Sequence, residues 1–252
     1  VTLITVVGIV PYIALQLKAI SHSFTILVQY PEVVATGARE PAPILSDTAF
    51  WLALLLATFT ILFGTRHLDA SERHEGLVAA IAFESVVKLL AFLAVGLFVT
   101  YGMFGGFSEL FQRAAAAPEL ARLLQLDSSR SGTWSELILL SGLAIIFLPR
   151  QFQIILVENV DESHVRRAVW LFPLYLVLIN IFVLPLALGG LLHFQGQSFN
   201  PDTFVLTLPL SRGAEALALL VFIGGLSAAT GMVIVETIAL STMVCHHLVM
   251  PA

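Results

Sequence analysis

The stretch Trp134–Asn159, WSELILLSGLAIIFLPRQFQIILVEN, decides how the chain reads. It exceeds the ~20 apolar residues that a helix needs to cross a bilayer core, yet it carries Pro149, Arg150 and Gln151. Pro149 has no backbone N–H and its ring crowds the carbonyl of Ile145, so a helix must kink or unwind there. In hydrocarbon the freed carbonyl is tolerated only where protein or a water-filled cavity surrounds it. A guanidinium beside the break adds to the cost unless it faces a cavity, a partner or an interface. A proline kink alone is as often structural as functional, and Arg150 could snorkel to a nearby surface. The Pro149-Arg150-Gln151 cluster favours a broken helix turned toward a wet pocket, since broken helices mark transport sites.

Composition agrees with a membrane setting. Apolar residues make up 58% and charged residues 12% of 252 positions, against roughly 45–50% and about 25% for soluble domains. The net charge of -5 is spread through the polar links, with no basic run for nucleic acid or a polybasic lipid patch. A single cysteine, Cys245, excludes an intrachain disulfide. The chain starts at Val1 without Met and is apolar at once, which reads as a fragment of a longer protein.

The expected fold class is all-α integral membrane, with six spans at about 1–28, 48–64, 77–101, 134–159, 169–192 and 214–250 in one membrane domain, 1–252. The first span contains Pro11 and places Gln16, Lys18 and His22 at membrane depth. A lone ammonium there costs about 2.5–3.5 kcal/mol, so its face should look at other helices or water. Lys18 pairing with a carboxylate merely to hold two helices together is an equal alternative. The third span holds Glu84 and Lys88 in the favourable i,i+4 order, which reads first as a structural pair. Residues 106–127 are too polar to span. Phe107, Leu110 and Phe111, then Leu120, Leu123 and Leu124, read as the apolar faces of interfacial amphipathic helices, the second opened by Pro118. A cap over a cavity is the other reading.

The fifth span carries Pro173, Asn180 and Pro185, and Asn180 is expected to hydrogen-bond between helices. In the sixth, Gly224, Gly225, Ser227, Ala228, Ala229, Thr230 and Gly231 allow close helix approach. Glu236 falls outside that explanation, because an acid in a span must face something polar. Short-loop arginines predict the topology: Arg66 and Arg73, then Arg166 and Arg167, against Arg39 and Arg212. By the positive-inside rule both ends of the chain are cytoplasmic. His67 and His74 match no zinc spacing, and a solvated loop explains them.

Four blocks carry a resemblance: PYIALQLKAIS (11–21), TRHLDASERHEGL (65–77), FLPRQFQIILVEN (147–159) and AVWLFPLYLVLIN (168–180). They resemble the sodium/solute symporter-like membrane domain that precedes bacterial sensor histidine kinases, over nearly the whole chain. The resemblance implies a transporter fold of two inverted five-helix repeats, of which this chain would supply core helices three to eight. It implies a multi-pass protein of the bacterial inner membrane. It also implies cytoplasmic kinase domains outside these residues, a response regulator as partner, and ATP only in those domains. Symporters begin the motif on core helix six with Pro-His and end it in arginine; here Pro149 is followed by Arg150, and the arginine position falls on Ile154. Of the two adjacent hydroxyls that they use for sodium on core helix eight, only Thr230 has a counterpart, and a hard cation wants several oxygens. Sodium coupling is therefore disfavoured and a proton is the alternative.

The sequence thus points to a solute-sensing or transporting domain that takes a small polar solute such as an amino acid; the alternative is a stand-alone ion-coupled symporter. A membrane anchor that has lost both activities is the blandest reading. Expected roles are Arg150 for a solute carboxylate, Gln16 and Gln151 for hydrogen bonds, and Lys18 with Glu236 as an ionic or proton-responsive pair. Ser227 and Thr230 are the expected remnants of ion coupling, and Pro149 is the structural break. No catalytic residue, certain metal ligand, resident cofactor or nucleic-acid partner is expected. His246-His247 ends a membrane helix rather than sitting on an exposed bundle, so no kinase chemistry lies in these residues.

Overall fold

In a computed structural model, residues 1–31, 45, 47–63, 75–122, 124, 131–159, 161–196 and 199–250 are described, and every regular element among them is helical. In chain order these are α1 (Thr2–Gln29), α2 (Thr48–Phe63), α3 (Glu75–Leu97) with a π-helical extension Phe98–Met103, α4 (Phe107–Ala116) and α5 (Pro118–Ala121). There follow α6 (Ser131–Phe147), α7 (Pro149–Phe152) with a π-helical turn Gln153–Val157, α8 (Glu162–Asn180) and α9 (Val183–His193). A short 3-10 turn (Pro201–Thr203) leads into α10 (Phe204–Ser211), and α11 (Glu215–Val244) closes in a π-helical turn, Cys245–Val249.

Helix α11 is the axis. Eleven of its residues are buried against the other helices, while Leu219, Leu220 and Ile223 remain exposed on its outer side. Helices α1 and α3 pack along it, and both run antiparallel to it. On one side Thr2 Oγ1 lies 3.3 Å from His247 Nδ1, the Tyr12 hydroxyl donates to Met232 Sδ at 3.2 Å, and the Phe24 and Phe222 rings are 6.2 Å apart. On the other, a side chain at Gly224 would meet Ala91, and one at Gly231 would meet the Glu84 carboxylate. Two missing β-carbons therefore set how closely α3 can approach α11.

Four helical stretches are long and apolar enough to cross a membrane: Thr2–Gln29, Val78–Met103, Glu162–His193 and Glu215–Val249. This is a multi-pass, all-helical architecture, and its exposed surface is apolar, with Trp170 79%, Phe147 73% and Phe83 72% accessible. Such a surface is a liability in water and ordinary against lipid chains. The other two expected spans correspond to shorter apolar helical stretches among the described residues, Thr48–Thr58 within α2 and Thr133–Ala144 within α6.

Several local expectations change. The helix through Trp134–Asn159 is interrupted at Leu148, where α6 ends and Pro149 opens α7. Asn180 bonds within its own helix rather than between helices, its exposed amide donating to Leu176 O at 2.7 Å. Helix α8 begins before the expected span, at an N-cap made by Asp161, and α8 and α9 are separated at Ile181–Phe182, where Pro185 leaves the Ile181 carbonyl without its helical donor. The apolar face of α4 is covered by protein: Leu110 and Ala114 are fully buried in one cluster with Phe104, Phe182 and Leu186. Pro118 opens α5 at its first turn, Glu109 accepts from Gly105 N at 3.0 Å, and Arg113 both pairs with Glu109 and lies 5.7 Å over the Phe104 ring. Leu123, Arg39, Arg66, Arg73, His67 and His74 lie outside the described residues.

The Asp161 cap yields a pH prediction. Its carboxylate accepts from Ser163 N at 2.8 Å, and that backbone hydrogen bond holds it below the ordinary value of 3.8. A lowered carboxyl contributes stability that is complete above the ordinary value and lost as pH falls through the lowered one. Asp161→Ala should therefore lower the thermal midpoint at pH 7, Asp161→Asn should lower it less, and the gap from the native protein should close in acid. A gap independent of pH would exclude a charge-assisted cap.

Candidate functional site

Two cavities flank the crossing of α3 and α11. The larger, about 770 Å³, lies between α3, α7 and its π-helical turn, α8 and α11. Its polar wall is built from Glu84, Ser85, Lys88, Gln151 and Tyr175, together with the exposed His164 and Arg167. Gly231 leaves room for the Glu84 carboxylate against α11. The Tyr175 hydroxyl donates to Ser85 O at 3.3 Å and ties α8 to α3, while Ser85 Oγ donates back to Ile81 O at 2.8 Å. Gln151 reaches this wall from the segment just after the helix interruption. The space thus presents a carboxylate, an ammonium, a guanidinium and several hydrogen-bonding groups within mainly apolar walls, a composition suited to a small solute carrying both charges.

The smaller cavity, about 280 Å³, lies between α1, α3, α10 and α11 and carries Gln16, Ser23, Lys88 and Asp202. Only Lys88, Ala228 and Met232 line both spaces.

The expected site residues therefore divide. Gln16 lines the smaller cavity and Gln151 the larger, so the two amides are not partners on one ligand. Lys18 is exposed and Glu236 only 1% accessible, and they do not sit at one level. The ties from Thr2 to His247, Tyr12 to Met232 and Phe24 to Phe222 place Glu236 opposite the region of Ile9 and Val10. Lys18 is then two helical turns away, about 12 Å along the axis. The Lys18–Glu236 pair is corrected on that register. Thr230 and Ser227 line neither cavity; the Thr230 hydroxyl donates to Ser227 O at 2.9 Å within α11. Pro149 is the first residue of α7, and the side chain of Arg150 lies outside the described residues. Among the described residues no group of three or more His, Cys, Asp or Glu side chains could hold a metal ion.

Sequence reasoning treated Glu84 and Lys88 as a structural pair and gave Ser85, His164, Arg167 and Tyr175 no part in a site. The i,i+4 charges at membrane depth were the one usable signal. Nothing along the chain could announce that a glycine on α11 faces Glu84. Comparison with known proteins finds no matching family model, no matching curated protein and no matching solved structure.

Proposed function

We propose that this chain is a membrane-embedded solute-binding domain, and that its larger cavity takes a small zwitterion such as an amino acid. The observation that carries the reading is the wall of that cavity, where Glu84 stands one turn from Lys88 and Arg167 also lines the space. The amine of a zwitterion would go to Glu84 and its carboxylate to Lys88 or Arg167, each a charge-assisted hydrogen bond. A polar wall inside a bundle whose outer surface is apolar also explains why charges are kept at these depths, where they are expensive unless functional.

Two roles suit such a site. In the first, following the resemblance to the membrane domains of sensor kinases, occupancy biases a conformational equilibrium that cytoplasmic kinase domains read, which requires the solute to bind one state better than the other. In the second the chain is part of an ion-coupled symporter, a role favoured by the presence of a second cavity across the same helix pair. Coding sequence downstream of Ala252 separates them: a histidine-phosphorylation helix with an ATP-binding domain supports the sensor, and a stop soon after core helix ten supports the symporter.

The binding test uses the full-length protein in nanodiscs with labelled amino acids. Loss of a charged hydrogen-bonding partner costs about 1.5–3 kcal/mol, so Glu84→Gln should weaken binding about tenfold or more. Equal binding by the native protein and Glu84→Gln would remove the carboxylate from the site.

A further inference from the structure

We infer that the groove between α3 and α8 binds one anionic phospholipid, its headgroup on Arg167 and His164 and an acyl chain along the inner stripe of α8. This goes beyond the solute reading and does not depend on it. The lipid takes Arg167, and the carboxylate of a solute is left to Lys88.

Helix α8 has no buried residue, although one of its faces lines the larger cavity. That face carries His164, Arg167, Ala168, Leu171, Tyr175 and Leu178, at the three- and four-residue spacing of one helix side. The basic groups come first. Beyond them the stripe is apolar except for the Tyr175 hydroxyl, which is engaged with Ser85 O. Leu178 lies ten residues beyond Ala168, about 15 Å along the axis. That is half of a hydrocarbon core roughly 30 Å thick, the depth of the chains of one leaflet. Trp170, 79% exposed and close in sequence to Arg167, is a residue type that settles at the headgroup boundary, which sets Arg167 near that level.

The space is open sideways along this stripe. Leu171 and Leu174 on α8 and Val86 on α3 all line it, yet they are 62%, 54% and 54% exposed, so the two helices do not close over it. A lipid chain therefore enters without leaving hydrocarbon. The charges at the other end suit a phosphodiester. Among the described residues no carboxylate pairs with Arg167, and a guanidinium offers a phosphate two parallel hydrogen bonds. Asp161 and Glu162 do not line the groove, and the Asp161 carboxylate is held by Ser163 N. Glu84 adjoins Ser85 and so lies near Tyr175, which is eight residues beyond Arg167, about 12 Å deeper along α8. It does not oppose the headgroup. The volume, about 770 Å³, is that of a pocket for a much larger ligand than an amino acid.

The test titrates the full-length protein in detergent with phosphatidylglycerol or phosphatidylcholine and counts bound lipid by native mass spectrometry. The native protein should hold one phosphatidylglycerol in preference to phosphatidylcholine. Arg167→Gln should weaken phosphatidylglycerol about tenfold and leave phosphatidylcholine unchanged, and Arg167→Lys should weaken it less. Arg166→Gln removes the same charge from a residue that does not line the groove, and should change nothing. Ala168→Trp fills the stripe without altering charge and should abolish the bound lipid. Equal losses in Arg166→Gln and Arg167→Gln would mean general attraction to a basic surface and overturn the site, as would lipid retention unchanged in Ala168→Trp. Inorganic phosphate that binds through Arg167 in both the native protein and Ala168→Trp, with no preference between the two lipids, would put a free anion there and overturn the lipid. The expected lipid results without amino-acid binding would support the lipid site and sink only the solute reading.

Discussion

Gly224→Leu is expected to cost at least about 3 kcal/mol and to leave little folded protein in the membrane. A leucine there has no rotamer that avoids α3, because its Cβ already sits 2.9 Å from Ala91 Cβ and 3.5 Å from the Lys88 backbone. Overpacked cores usually lose about 1–3 kcal/mol by shifting flexible side chains. Here the obstacles are a methyl group and a helix backbone, so α3 as a whole would have to move off α11, carrying Lys88 and Glu84 with it. The measurement is the thermal midpoint of purified protein in nanodiscs, with Gly225→Leu as control, since a Cβ on Gly225 meets nothing within 4 Å. Equal midpoints for the two variants would show that the close crossing does not hold the bundle together.

The second large effect lies away from the cavities. Leu110→Ala should destabilise by about 2–5 kcal/mol, the range for a buried leucine whose neighbours cannot collapse into the space. Leu110 is fully buried in α4 within a cluster that includes Phe104, Phe182 and Leu186. The Phe107 ring stacks on Phe182, with centroids 5.7 Å apart, so rigid aromatic groups hold the surroundings open. Limited tryptic proteolysis at Arg113, within α4 itself, offers a second measure: cleavage should accelerate in Leu110→Ala if α4 docks as described. Unchanged cleavage and an unchanged midpoint would mean that α4 lies on the bundle without anchoring it.

These two substitutions also mark how far the sequence could be followed. The glycines and alanines at 224–231 announced close helix approach, and the apolar residues at 107–111 announced an amphipathic helix. Both signals are periodicities, which one segment displays by itself. Neither says which helix answers it. The face of α4 read as lying along a membrane surface is instead covered by protein, since Phe182 and Leu186 sit more than seventy residues away. Glu84 and Lys88 suffered the opposite error: a favourable i,i+4 pair looked self-sufficient, yet both also line a space shared with α7, α8 and α11.

The sequence alone determined the membrane character, the helical class and the position of Pro149, because hydropathy, helix period and a missing N–H are properties of short segments. Tertiary structure decided which polar residues share a space. Gln16 and Gln151 parted into different cavities, Lys18 and Glu236 fell two turns out of register, and Lys88 came to line both spaces beside the α3–α11 crossing. The reason is that register between antiparallel helices is set by the sum of packing contacts along both. A polar residue's depth and facing therefore depend on partners that its own segment does not encode.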